Sequence, residues 1–196
     1  MDRPKYLLMT PPIEVIRQRR DILTDPMMAI GYLASALRNA GFDVGIFDPK
    51  YEGVTFAESL KRVKKTNPSF IGFSSMTHEI VRTHKFANIL KKWNKDLVVA
   101  VGGAHATSLP LETMREFTSF NFLIKGEGEV AIVELAHYLE GKGSDISKIR
   151  GLVYRNECDE IKMNPDREWN YELDKLPFPA WDMYPRIRSA ALPVLA

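Results

Sequence analysis

Cysteine is almost absent from this sequence: Cys158 is the only one among 196 residues. One thiol cannot form an intrachain disulfide, so we expect the protein to work in a reducing cytoplasm. One thiol is also too few for an iron–sulfur cluster or a structural zinc site, both of which need several ligands. We therefore predict that this chain carries out no cluster chemistry, and we assign it no catalytic residue and no metal ligand.

Long apolar runs and an excess of one charge are absent as well. No segment approaches the roughly 20 consecutive apolar residues that cross a bilayer, so we predict no membrane span. Lys and Arg number 27 against 25 Asp and Glu, which gives a net charge of +2. A nearly balanced charge provides no general field that would attract nucleic acid or anionic lipid. The length suffices for one well-buried domain with a small appendage.

Apolar runs typical of strands alternate with segments of helical periodicity. The first helix is predicted to begin at Asp25-Pro26, which would supply an N-cap and a first-turn proline. The predicted strands cover residues 5–9, 44–47, 70–73, 97–101 and 120–124. This alternation predicts an α/β fold of the flavodoxin-like (Rossmann-like) kind, a doubly wound parallel sheet of five strands in the order 2-1-3-4-5. We assign this domain to residues 1–145.

The pattern changes after Gly141. Residues 151–155 and 160–163 flank a turn-forming sequence and predict a C-terminal β-hairpin, which we assign to residues 146–165. Prolines and aromatic residues dominate residues 166–196, which we interpret as a linker or as an extended arm lying on a partner surface.

Four loops follow the carboxyl ends of parallel strands, so we predict that they meet at one edge of the sheet. Ligands in doubly wound sheets bind beyond this edge. These loops are Thr10-Pro11-Pro12, Ser74-Ser75-Met76-Thr77, Gly102–Pro110 and Gly126–Glu129. Gly102-Gly103 is the most informative pair, because two glycines at a strand end let a flat or bulky ligand approach the backbone.

Each of the other loop features has a structural alternative beside the functional one. The hydroxyl of Thr77 could bind a ligand or cap a helix. His105 could be a ligand, a hydrogen-bond partner or an ordinary loop residue. Glu127 and Glu129 could line a site, or they could favour a helix start through the helix dipole.

Two other uses of such a fold do not match the sequence. A dinucleotide site needs G-x-G-x-x-G directly after the first strand, where Pro11-Pro12 removes the required amides. Lys125 after the fifth strand would be consistent with a phosphoacceptor receiver domain. Such a domain also needs a carboxylate at the position of Ser74 and an acidic pair at the position of Thr10-Pro11, so the sequence does not match it.

Taken together, the motifs resemble the N-terminal domain of cobalamin-dependent radical S-adenosylmethionine (SAM) proteins, the group that includes the anaerobic Mg-protoporphyrin ester cyclase. The resemblance covers nearly the whole chain and depends on the order and spacing of the motifs. The matching segments are Pro11-Pro12, Pro26 through Leu33, Gly41, Ile71–Thr77, Gly102–Thr107 with Pro110, Gly126–Glu129, Gly151–Arg155 and Leu176–Trp181.

The resemblance implies that cobalamin lies across the carboxyl ends of the strands, with its nucleotide tail in the sheet edge. The glycines would give the tail room and the hydroxyls would hydrogen-bond it. The implied cofactor-binding residues are Pro11, Pro12, Ser74, Ser75, Met76, Thr77, Gly102, Gly103, His105, Thr107, Gly126, Glu127, Gly128 and Glu129. The [4Fe-4S] cluster and SAM would belong to a C-terminal radical SAM barrel, whose first strand would begin at residues 191–196.

One motif of many cobalamin proteins is absent. Cobalt is often coordinated by the histidine of D-x-H-x-x-G, and none of the four histidines has an aspartate two residues earlier. The radical SAM group generally lacks this motif too. We therefore predict that His105 hydrogen-bonds the corrinoid and does not coordinate cobalt.

The resemblance implies a cobalamin-binding module that presents the corrinoid to its own radical SAM barrel. The full-length reaction would be methyl transfer or a radical rearrangement or cyclisation. One alternative is a vestigial domain that serves only for docking. Another is a flavodoxin-like protein that binds flavin or another small molecule. Neither nucleic acid nor membrane is an expected partner.

Overall fold

The computed structural model describes residues 5–14, 25–143, 145–168, 174 and 176–185. The segment 191–196, predicted to begin a barrel, lies outside these residues. The strands are β1 (Tyr6–Met9), β2 (Val44–Phe47), β3 (Phe70–Ser74), β4 (Val98–Gly102), β5 (Phe122–Ile124), β6 (Leu152–Arg155) and β7 (Ile161–Met163). The α-helices are α1 (Met28–Asn39), α2 (Pro49–Glu52), α3 (Phe56–Thr66), α4 (Ile80–Trp93), α5 (Ala104–Ser108), α6 (Pro110–Glu116) and α7 (Glu129–Leu139).

All seven strands form one sheet, in the order β2-β1-β3-β4-β5-β6-β7. Strands β1 to β5 are parallel, which confirms the predicted parallel α/β architecture. The sheet is larger than the predicted five strands, because β6 pairs antiparallel with β5 and β7 pairs antiparallel with β6. Tyr154 lies opposite Phe122 at this junction. The hairpin thus satisfies the backbone groups that an exposed β5 edge would leave unpaired.

Apolar side chains are buried on both faces of the sheet, as a parallel sheet covered by helices requires. On one face Leu8 packs in a cluster with Leu37 of α1 and Leu135 of α7. On the other face Leu7, the neighbouring residue of β1, packs in a cluster with Leu90 of α4 and with side chains of α6. Successive strand residues point to opposite faces, so a continuous apolar run serves both cores.

The start of α1 differs from the prediction that placed it at Asp25-Pro26. The helix begins at Met28, and its N-cap residue Met27 makes no side-chain cap. The Met27 N–H instead donates to Oδ2 of Asp48, at 2.9 Å. The prediction was wrong because the acceptor comes from the end of β2, far away in sequence.

The described end of the C-terminal arm, residues 178–184, lies along α1 of the same chain, and we call it the strap. Its Ala180 N–H donates to the Gly31 carbonyl at 3.0 Å. Arg38 of α1 forms an ion pair with Asp182 at 2.7 Å. Within the described residues, no helix combines the length and the apolar character that a membrane span requires.

Candidate functional site

A cavity of about 150 Å³ opens at the carboxyl edge of the sheet, between α1 and α7. Its floor is made by the ends of β1, β3, β4 and β5, and its walls are mostly apolar. The lining residues are Leu8, Ala29, Leu33, Gly72, Phe73, Ser74, Ala100, Val101, Gly102, Gly103, Ile124, Gly126, Glu127, Gly128, Glu129 and Ile132.

Missing side chains create much of this space. A Cβ at Gly72 would lie 2.8 Å from Cδ2 of Leu8, and one at Gly128 would lie 3.0 Å from Cδ2 of Leu33. Gly126 has a φ of +76°, and a Cβ there would meet nothing within 4 Å. Gly72 and Gly128 therefore leave no room for a side chain beside the cavity, and Gly102 and Gly103 lie in its lining.

Side chains of α5 connect the loops around this cavity. Nδ1 of His105 lies 3.3 Å from Oγ1 of Thr77, so α5 contacts the loop after β3. Oγ1 of Thr107 accepts the Gly126 N–H at 3.1 Å, so α5 also contacts the loop after β5. Thr77 does not cap α4, whose N-cap residue is Glu79. These residues fix the relative positions of three loops.

The structure divides the fourteen predicted cofactor residues into three groups. Those that line the cavity are Ser74, Gly102, Gly103, Gly126, Glu127, Gly128 and Glu129. Those buried or bonded within the protein nearby are Pro11, Pro12, Ser75, Thr77, His105 and Thr107. Met76 remains, and its side chain is largely exposed on the loop after β3. The first group is the one that a ligand in the cavity would touch.

Two acidic residues give the cavity rim its electrostatic character. Burial raises the pKa of the Glu129 carboxyl, repulsion by Glu127 raises it further, and hydrogen bonds from backbone amides at the start of α7 act in the opposite direction. Both carboxylates also border a second cavity of about 370 Å³, where Arg150 and Arg167 supply positive charge. The first cavity thus has an acidic rim and an apolar floor, and the arginines lie in the second cavity beside it.

A buried carboxylate that was not among the residues predicted from the sequence, Asp48, also lies at this edge and is fully inaccessible to solvent. Its Oδ1 accepts from Oγ1 of Thr10 at 2.6 Å and from the Tyr51 N–H at 3.3 Å, and its Oδ2 accepts from Met27. A single side chain therefore connects the end of β1 with the starts of α1 and α2. An aspartate between a predicted strand and a proline was the available signal.

A buried ion pair lies nearby at the same edge. Lys50 of α2 contacts Glu79, and their side chains are only 11% and 4% exposed. The Glu79 carboxylate also accepts the Met76 N–H at 3.1 Å. This pair connects the chain after β2 with the loop after β3.

The size and lining of the cavity indicate which chemical groups it can hold. An apolar cavity of this size accepts an aromatic ring. Among the described residues, no group of three or more His, Cys, Asp or Glu side chains is arranged to hold a metal ion. The site can thus enclose a flat, largely apolar group and offer hydroxyl, carboxyl and backbone groups at its rim.

Comparison with known proteins identifies a family and several relatives. The family model described as the B12 binding domain matches residues 25–136. An uncharacterized methyltransferase of Pyrococcus horikoshii is 34% identical over 92% of this chain and 39% of its own length. The anaerobic magnesium-protoporphyrin IX monomethyl ester cyclase of Rubrivivax gelatinosus is 23% identical over 80% of this chain and 28% of its own.

A solved structure shares the fold. The cobalamin-dependent S-adenosylmethionine radical enzyme OxsB, with aqua-cobalamin and S-adenosylmethionine bound, superposes with a TM-score of 0.73 at 21% identity. The match covers 92% of this chain and 24% of OxsB. The chain therefore spans less than half the length of each of these proteins.

Proposed function

The chain belongs to the B12 binding domain family, and we propose that it is a cobalamin-binding module that presents the corrinoid to a radical SAM catalytic domain. The family inferred from the sequence motifs is thereby confirmed. In the full-length protein the reaction would be methyl transfer or a radical rearrangement or cyclisation. Methyl transfer is favoured by the relative from Pyrococcus horikoshii, which carries the name of a methyltransferase.

The glycine-lined cavity is the observation that carries this proposal. Cobalamin has a nucleotide tail that ends in a flat benzimidazole ring, and the cavity offers an apolar space suited to such a ring. Gly102 and Gly103 would leave room for the tail, and Ser74 would hydrogen-bond it. The segment Gly126–Glu129 would form the adjacent wall. The residues present therefore fit the group.

The other predicted contacts have more specific proposed roles. The buried Ser75 hydroxyl lies 3.0 Å from that of Thr83, so we assign it to loop geometry and not to the ligand. His105 and Thr107 would hold the loops after β3 and β5 in place around the tail. Cobalamin itself supplies the methyl-carrying chemistry, while the protein provides binding and orientation.

The partner of this module would be a radical SAM barrel of the same polypeptide. The relatives of this chain are much longer than the segment that it matches, which leaves room in them for such a domain. The [4Fe-4S] cluster and SAM would bind there. Because the hairpin extends the main sheet and the strap packs on α1, we propose that the described residues act as one unit, in place of separate segments divided near 145 and 165.

A docking module without cofactor is the second candidate, favoured by the absence of D-x-H-x-x-G. Titration of the purified protein with hydroxocobalamin distinguishes the two. We expect the visible spectrum to change at micromolar cofactor and cobalamin to stay with the protein through gel filtration. Cobinamide, which lacks the nucleotide tail, should bind more weakly. A protein that binds neither corrinoid would contradict the proposal, and binding of flavin mononucleotide instead would support a flavodoxin-like function.

A further inference from the structure

Met27 is held from both sides by buried side chains. Its N–H donates to Oδ2 of Asp48 at 2.9 Å, and its carbonyl accepts from the Tyr184 hydroxyl at 2.6 Å. Tyr184 belongs to the strap and is 5% exposed. We call Asp48, Met27 and Tyr184 the Met27 clamp.

The Met27 clamp lies at the start of α1. Met27 is the N-cap residue of α1 and makes no side-chain cap of its own. Ala29 and Leu33, which follow within the first two turns, form part of the cavity wall. The wall therefore depends on a backbone unit that two distant side chains hold in place.

The strap contacts α1 closely just after the clamp. A Cβ at Gly31 would lie 2.9 Å from the Cβ of Pro179, so the strap fits only against a glycine there. The Tyr184 ring also packs edge-on against Tyr51, with the ring centroids 6.1 Å apart. The first turns of α1 thus have the strap on one side and the cavity on the other.

The Tyr184 hydroxyl is suited to a permanent donor role. Burial raises its pKa far above the ordinary tyrosine value, and the nearby Asp48 carboxylate raises it further. The hydroxyl therefore stays protonated at working pH. The remaining partners of Asp48, Thr10 and Tyr51, connect the clamp to β1 and α2.

We propose that Asp48 and Tyr184 are positioning residues for the cofactor cavity, so that the strap contributes to recognition of the cobalamin nucleotide tail. This inference rests on the proposed function. The clamp acts on the wall beside the tail, and its loss should weaken binding of cobalamin but not of cobinamide. A general loss of fold would weaken both corrinoids alike.

Tyr184→Phe is the test variant, because it keeps the ring and removes only the hydroxyl. Loss of one buried hydrogen bond should raise the cobalamin dissociation constant about three- to tenfold, with cobinamide unchanged. Asp48→Asn, which acts on the other side of Met27, should give the same pattern. Asp182→Asn is the matched control, since it breaks a strap contact at the exposed Arg38 pair and should alter neither constant.

Hydrogen exchange of the α1 amides provides a readout that needs no cofactor. In Tyr184→Phe, residues 27–33 should exchange about three- to tenfold faster than in wild type, and Asp182→Asn should match wild type. Equal weakening of cobalamin and cobinamide binding in Tyr184→Phe, or unchanged exchange of the α1 amides, would overturn the proposed role of the Met27 clamp. A wild-type protein that binds no corrinoid would instead refute the proposed function, while the exchange data would still decide whether the clamp holds α1.

Discussion

The backbones of Gly103 and Ser75 lie in direct contact. A Cβ at Gly103 would lie 2.8 Å from the Ser75 carbonyl oxygen and 2.9 Å from its nitrogen, and the Gly103 φ of +96° is one that L residues rarely adopt. The Ser75 N–H in turn donates to the Gly102 carbonyl at 2.9 Å. The loops after β3 and β4 can therefore approach each other only with glycine at this position.

Gly103→Ala should accordingly destabilise the fold. Backbone strain together with the clash against Ser75 should lower the free energy of unfolding by about 3 kcal/mol or more, measured by denaturant unfolding. Gly141→Ala is the matched control, because its φ is +69° and a Cβ there meets nothing within 4 Å. In that variant the free energy of unfolding should fall by only about 1 kcal/mol. Equal losses in the two variants would show that the Ser75 contact is unimportant.

Removing the charge of Glu79 tests the buried ion pair. Glu79→Gln leaves the Lys50 ammonium buried without its counter-charge and should lower the free energy of unfolding by about 3 kcal/mol. The control is Glu14→Gln, which breaks the exposed pair with Lys85 at 3.2 Å and should change stability by less than about 1 kcal/mol. Equal destabilisation by the two substitutions would show that the buried pair contributes no more to stability than an exposed one.

Glu129 should make stability depend on pH. Its folded-state pKa is raised, chiefly by burial, so the folded protein binds more protons than the unfolded chain once the pH exceeds the ordinary value of 4.5. The stabilisation is complete below that pH and is lost as the pH rises through the folded-state pKa. The Glu129→Gln variant should therefore lose less stability than wild type as the pH rises from 4.5 to neutrality. Thermal melting at several pH values in this range measures how steeply stability changes with pH.

A Glu129→Gln variant whose stability falls with rising pH as steeply as that of wild type would contradict the assignment to Glu129.

Local patterns in the sequence were sufficient to predict the parallel α/β part of the fold. The continuous apolar runs of β1, β3 and β4 indicate strands buried on both faces, and the intervening helical periods indicate parallel connections. Gly102 and Gly126, which the sequence placed in loops at the carboxyl edge, both line the cavity there.

Features set by contacts between distant residues could not be predicted in this way. The start of α1 depends on Asp48, which lies 21 residues beyond Met27. The β5–β6 junction pairs Phe122 with Tyr154, and only the assembled sheet brings these two strands together. Likewise, the fold places the Thr107 hydroxyl on the Gly126 amide, 19 residues away, whereas its contact with a ligand stays a prediction. Each of these partners is determined by the tertiary structure and not by local spacing.

We propose that the cavity at the carboxyl edge receives part of cobalamin. Gly102 provides its most direct test. A Cβ there would meet only the Ile124 carbonyl oxygen at 3.5 Å and the Phe73 carbonyl oxygen at 4.0 Å, which are ordinary contacts. The fold should thus tolerate alanine at this position with a stability change below about 1 kcal/mol.

The deciding measurement is the dissociation constant of hydroxocobalamin for wild type and Gly102→Ala, followed by visible absorption. If the cavity holds the cofactor, the added methyl group should weaken binding about tenfold or more while the unfolding midpoint stays near that of wild type. Equal affinity of the two proteins for cobalamin, or no binding by wild type, would contradict the proposal that this cavity receives part of cobalamin.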